Sequence, residues 1–159
     1  MSKVPSKPKG YHNITPYLFV NDANKAIEFY QNVFDAKEKF RMGKPDGKVA
    51  HSEFTIGDSN FMLADEFPQM NAFSPKTVGG TPVSLYLYVD DVDSVVEKAV
   101  KKGATLEQAV ETRFYGDRSG TVLDPFGHRW NVATHVEEVS PAEVERRAFE
   151  LYKGKKITE

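Results

Sequence analysis

His51 and Glu53 stand two residues apart in a run of alternating character over about 48–57. Alternation predicts a strand, so the imidazole and the carboxylate point to one face together with Thr55, while Ala50, Ser52, Phe54 and Ile56 take the other. An imidazole titrating near neutrality can abstract a proton beside a carbonyl, with the carboxylate in a supporting role. The same pair could also offer two ligands to a metal, or be ordinary polar residues of a sheet face. Of the other histidines, His128 follows a turn glycine and reads as structural. His135 lies near the end of the last strand with its role open, and His12 belongs to the amino-terminal approach.

A second set is aromatic. Alternation places Thr15, Tyr17 and Phe19 on one side of an early strand and Ile14, Pro16, Leu18 and Val20 on the other. Further along, Ser84, Tyr86 and Tyr88 face away from Val83, Leu85, Leu87 and Val89. The aliphatic sides suit packing beneath helices, which leaves the rings facing a cavity, a ligand or a subunit interface. Tyrosine suits such a place, being an apolar ring whose hydroxyl needs a partner. The alternative is that the rings simply fill a core.

The elements that must position these residues occur twice. Tyr17-Leu-Phe-Val-Asn-Asp22 returns as Tyr86-Leu-Tyr-Val-Asp-Asp91, and each copy leads into an apolar helix face. That face is Ala23, Ala26, Ile27, Tyr30 and Phe34 in the first copy. In the second it is Val92, Val95, Val96, Ala99 and Val100, with Asp90 or Asp91 as cap and Gly103 as stop. Three strands follow each helix, at about 36–43, 48–57 and 59–65, then at about 105–113, 118–124 and 128–135. The expected fold is α+β, two βαβββ modules at about 14–65 and 83–135. Residues 66–82 connect them as a long Pro-, Gly- and Ser-rich segment, and 1–10 read as a flexible tail. Ser140-Pro-Ala-Glu143 is a capping box, so 138–159 should hold a carboxy-terminal helix to about Tyr152 and a tail. Val144, Ala148 and Leu151 share one side of that helix.

Composition narrows the classes. The chain has 159 residues, 21 basic against 23 acidic, and no cysteine. Disulfides, thiolate metal sites and a cysteine nucleophile are excluded. The charge balance argues against duplex nucleic acid as a partner. No apolar run reaches the ~20 residues of a membrane-spanning helix, and no signal peptide opens the sequence, so a cytoplasmic location is expected. There is no Ser-His-Asp order and no glycine-rich phosphate loop.

With the repeat, Phe114-Tyr-Gly-Asp-Arg-Ser-Gly120 and Leu123-Asp-Pro-Phe-Gly-His-Arg-Trp130 resemble the vicinal oxygen chelate superfamily of glyoxalase I, bleomycin-resistance proteins and extradiol dioxygenases. Thr15-Pro-Tyr-Leu-Phe19 and Tyr115–Gly120 are similar to its PhnB-like branch. The likeness runs over 11–137. It implies paired mixed sheets curling into a cup, and in metal-dependent members one ligand from the first and fourth strands of each module. Those places fall here on Thr15, Met62, Ser84 and Asn131, none a histidine or carboxylate. Catalytic divalent metals favour imidazole and carboxylate, so no metal or other cofactor is expected.

The leading expectation is therefore a metal-free small-molecule-binding protein of the glyoxalase/bleomycin-resistance type. Its cup would be lined by Tyr17, Phe19, Tyr86 and Tyr88, with His51, Met62 and Asn131 deeper. Tyr115, Asp117 and Arg118 would lie at the rim, Arg118 pairing either with an acidic group of the ligand or with an acid of the protein. A second expectation is a lyase- or dioxygenase-like enzyme, using His51 as base with Glu53 in support, or a displaced metal site built from these two with His135. A third is a non-catalytic interaction protein with a filled cup. A homodimer is compatible with all three.

Overall fold

The computed structural model describes residues 3–155. Positions 1–2 and 156–159 of the two expected tails lie outside the described residues. The described residues form two compact units, one running to Pro82 and including Pro125–His128, the other made of Val83–Asp124 and the residues from Arg129 onward.

In the first unit the order is β1 (Tyr17–Val20), α1 (Ala23–Phe34), β2 (Lys37–Gly43), β3 (Val49–Ile56) and β4 (Ser59–Asp65). They make a mixed sheet in the order β1-β4-β3-β2, with β1 parallel to β4 and the other pairs antiparallel. Helix α1 starts where the Asp22 carboxylate accepts from the Lys25 backbone N–H, and stops at Asp35 in the left-handed region at φ 56°. Its face of Ala23, Ala26, Ile27, Tyr30 and Phe34 is buried, as the periodicity predicts, in a core with Val20, Phe54 and Leu63. Each such large side chain contributes about 1.5–3 kcal/mol on burial.

Two expectations need correction here. Ile14 and Thr15 lie outside β1, and Ile14 is exposed rather than buried. Pro16 brings no N–H to the ladder, so pairing opens with Met62 N–H donating to the Pro16 carbonyl. Residues 66–82 are not one loop either. They hold a 3-10 turn at Pro68–Met70 and a one-turn helix α2 (Pro75–Val78), capped by Ser74. Glu66 ties this segment down, accepting from Ser74 N–H at 2.8 Å and from Thr77 Oγ1 at 2.7 Å.

The turn at Pro125–His128 belongs to this first unit although its flanking strands belong to the second. Phe126 is buried, its ring 6.2 Å from Phe29 and 6.3 Å from Tyr30. His128 Nε2 donates to the Phe19 carbonyl at 2.9 Å, the structural role its position suggests.

In the second unit the same order returns: β5 (Ser84–Tyr88), α3 (Val92–Lys101), β6 (Thr105–Thr112), β7 (Asp117–Leu123) and β8 (Arg129–His135), followed by α4 (Pro141–Lys153). The sheet runs β5-β8-β7-β6, with β5 parallel to β8. Asp91 caps α3, and Val92, Val96 and Ala99 are buried. Val100, expected on the same face, is 42% exposed in the last turn of α3. Val83 precedes β5 and is also exposed. Ser140 caps α4, and Arg147 fastens the helix to Glu137 and to the Phe114 carbonyl. No helix among the described residues is long and apolar enough to cross a membrane.

Candidate functional site

Each unit has a helix on one sheet face and leaves the other face to polar and aromatic side chains. In the first unit that other face carries Tyr17 and Phe19 of β1, Met62 of β4 and His51 and Glu53 of β3, as alternation predicts. Tyr17 lies opposite Met62 and Met62 opposite Glu53 in register. The Tyr17 and Phe19 rings stack at 4.8 Å. Phe40 and Met42 of β2 join the face opposite Glu53 and His51, both about half exposed. Sequence reasoning missed these two, although their period-2 spacing was a usable signal.

His51 has both ring nitrogens engaged. The Tyr17 hydroxyl donates to Nδ1 at 2.7 Å, which leaves the proton of the neutral ring on Nε2, 3.2 Å from Glu53 Oε1. The Tyr11 hydroxyl and His51 hold the Glu53 carboxyl below the usual glutamate range, against the opposing effect of burial. Burial and the neighbouring Glu53 push the Tyr11 hydroxyl up to about 12. Tyr11, Thr15 and Met62 line a cleft of about 500 Å³ together with Lys7, His12 and Asn13. A base needs a free nitrogen, and His51 offers none until Tyr17 or Glu53 gives way.

The second unit concentrates its polar groups on one carboxylate. Asp117 opens β7 and is 4% exposed. Its Oδ2 accepts from the hydroxyls of Tyr86 and Tyr88, each at 2.9 Å, and its Oδ1 accepts from His135 Nδ1 at 2.8 Å. Burial works to raise the Asp117 carboxyl, but the His135, Tyr88 and Tyr86 donors outweigh it and hold the group below the usual aspartate range. The reciprocal bond raises His135, with Glu138 near Nε2 adding to the effect. Burial and the Asp117 bond drive the Tyr86 phenol upward, with Tyr115 contributing; for Tyr88 the Asp117 bond is the larger cause. The rings themselves stay open: Tyr86 is 46% and Tyr88 60% exposed.

Gly116 makes this hub possible. Its φ is 103°, and a Cβ there would lie 2.2 Å from the Glu137 carbonyl oxygen. The Gly116 carbonyl accepts from both Val136 and Glu137 N–H, which fixes the ends of β7 and β8 where Asp117 and His135 face each other. The Asp117–His135 pairing was missed in the sequence, yet counting outward from the Asp124–Gly127 turn along both arms brings these two opposite.

Arg118 takes the second of its two expected partners, an acid of the protein, but away from the expected rim. It lies on the other face of β7, in a bidentate pair with Asp93 of α3 at 2.7 and 2.8 Å, and does not join Tyr86 and Tyr88. Alternation from Asp117 requires this.

The four positions implied for metal ligands pair up within their own units. Thr15 and Met62 line one cleft. Asn131 Nδ2 donates to Ser84 Oγ, and Asn131 Oδ1 accepts from Thr121 Oγ1 at 2.7 Å. Neutral hydroxyls, a thioether and an amide already bonded within the protein do not fit a Lewis-acid divalent cation. For the displaced site, no group of three His, Asp or Glu side chains able to hold a metal occurs among the described residues, and His135 pairs with Asp117 instead.

Comparison with known proteins agrees with this architecture. An uncharacterized protein of Mycobacterium bovis is 43% identical over 135 residues, covering 83% of this chain and 89% of its own. Among solved structures, a gene product of Arabidopsis thaliana superposes with a TM-score of 0.62 at 28% identity, covering 77% of this chain and 98% of its own. A PhnB protein of Bacillus cereus superposes with a TM-score of 0.62 at 22% identity over 77% of this chain and 99% of its own. The family model matches residues 11–132, so the chain belongs to the Glyoxalase/Bleomycin resistance protein/Dioxygenase superfamily.

Proposed function

We propose that this protein binds a small organic molecule against the aromatic faces of its sheets, without a metal. The observation that carries the reading is the exposure of large rings on the faces opposite the helices. Tyr17, Phe40, Tyr86 and Tyr88 are between 39% and 60% exposed in a chain that buries Tyr30, Phe54 and Phe61 almost fully. An exposed apolar patch set among fixed polar groups is the usual form of a binding surface. The filled-core alternative calls for these rings to be covered within their sheets, and they are not. The metal-free part rests on the donor chemistry at Thr15, Met62, Ser84 and Asn131. The general-base alternative loses ground because both His51 nitrogens are engaged.

A small-molecule screen by thermal shift, with backbone and ring NMR on the hits, tests this. A ligand at about 100 times its Kd should raise stability by about 2.7 kcal/mol and shift Tyr17, Tyr86 or Tyr88 ring signals. Hits that stabilise the protein without touching these rings would overturn the reading.

Self-association is a second part of the proposal, supported by α4, where Phe149, Leu151 and Tyr152 are 65%, 45% and 59% exposed. Light scattering should give twice the chain mass, reduced toward one chain by Phe149→Glu. A monomer at all concentrations would remove this part.

A further inference from the structure

We infer that the Tyr86–Tyr88 face takes an organic cation, such as an alkylammonium or other cationic nitrogen group, rather than an anion. This rests on the ligand-face reading above and names the chemical class of that face.

A tyrosine hydroxyl has one proton to donate and lone pairs to accept with. Tyr86 and Tyr88 both spend that proton on Asp117 Oδ2. Toward a ligand their oxygens are left as acceptors only, so a carboxylate or phosphate finds no donor in them. The rings are meanwhile presented openly, with centroids 5.2 Å apart and planes inclined at 48°. A hydroxyl bonded to a carboxylate enriches its ring in electron density, which favours a cation over the face.

The charges nearby point the same way. Tyr88, Asp90 and His135 line a cleft of about 440 Å³ with Val89 and Thr134. Asp117, Asp90 and Glu138 bring three carboxylates to this end of the sheet, against the imidazole of His135, which is bonded to Asp117 and close to Glu138, while Arg147 beside it is matched by Glu137 and Glu143. The arginines reaching this side of the sheet are matched within the protein: Arg113 by Glu111, and Arg129 by Glu107 in a bidentate pair. Arg118, the cation expected at the rim, is on the opposite face with Asp93. Open rings, acceptor-only phenols and a net negative end together describe a cation site.

Three probes of similar size separate the classes: benzyltrimethylammonium, benzyl alcohol and benzoate, titrated by NMR on the full chain and read at the Tyr86 and Tyr88 ring signals. The cation should bind about ten-fold more tightly than the alcohol, with benzoate weakest. Tyr88→Phe, which keeps the ring but removes the hydroxyl bonded to Asp117, should lose about two-fold in cation affinity, whereas Tyr88→Leu should lose about five-fold. Benzyl alcohol or benzoate binding these rings as tightly as the cation would overturn the inference and leave the ligand-face reading standing. Absence of any cation-induced shift would also overturn it, while the screen described above decides the broader reading on its own.

Discussion

Asp117 shows how one buried carboxylate can organise a surface. Three donors converge on it, and hydrogen bonds to a charged group are each about 1.5–3 kcal/mol in strength when they must be broken. Asp117→Ala would leave two phenols and an imidazole without their acceptor, and should lower stability by about 3 kcal/mol in a denaturant titration. A loss below about 0.5 kcal/mol would show the hub to be energetically idle. The His135 bond also makes a pH prediction. The folded-state pKa of His135 is raised above its ordinary 6.5, so its contribution is full below 6.5 and fades as pH rises through the folded value. The Asp117 pKa is lowered below its ordinary 3.8, so its contribution is full above 3.8 and fades as pH falls through the folded value. The stability advantage of the wild type over His135→Gln should therefore be largest between about pH 4 and 6.5 and shrink toward pH 9. A difference that stays flat over that range would mean His135 and Asp117 are not coupled in solution.

At the scale of elements, the turns decide whether these residues meet. Gly116 occupies a backbone conformation that side-chain-bearing residues rarely adopt, with the Glu137 carbonyl where a Cβ would be. Gly116→Ala should cost about 2–4 kcal/mol and scatter the Tyr86, Tyr88 and His135 ring signals together, since the register of β7 and β8 depends on it. If only the local amides moved, the turn would not be what sets the hub. Much at this scale was legible beforehand. Helix faces such as Ala23–Phe34 read out because a 3.6-residue period has only one way to bury five apolar residues, and Ser140-Pro141 marked the start of α4 by capping chemistry alone. Ile14 and Val100 misled because periodicity says which side a residue points to, not whether burial extends that far.

For the whole molecule, the instructive segment is Pro125–His128. Its strands belong to the second unit, yet Phe126 is buried with Phe29 and Tyr30 in the first. Phe126→Ala should cost about 3–5 kcal/mol, and chemical-shift changes should centre on α1 rather than on β7 and β8. Changes confined to the hairpin would show that Phe126 is not part of that core. The sequence by itself determined the two βαβββ modules, their helix faces and the alternation that puts His51 with Glu53 and Tyr86 with Tyr88, because these are local periodicities. The tertiary structure decided which polar groups find each other. Tyr17 closes off His51, Asp117 collects both tyrosines and His135, and Arg118 turns to Asp93. Those pairings join residues 18 to 34 positions apart, and strand register and side-chain reach fix them only once the sheets have formed.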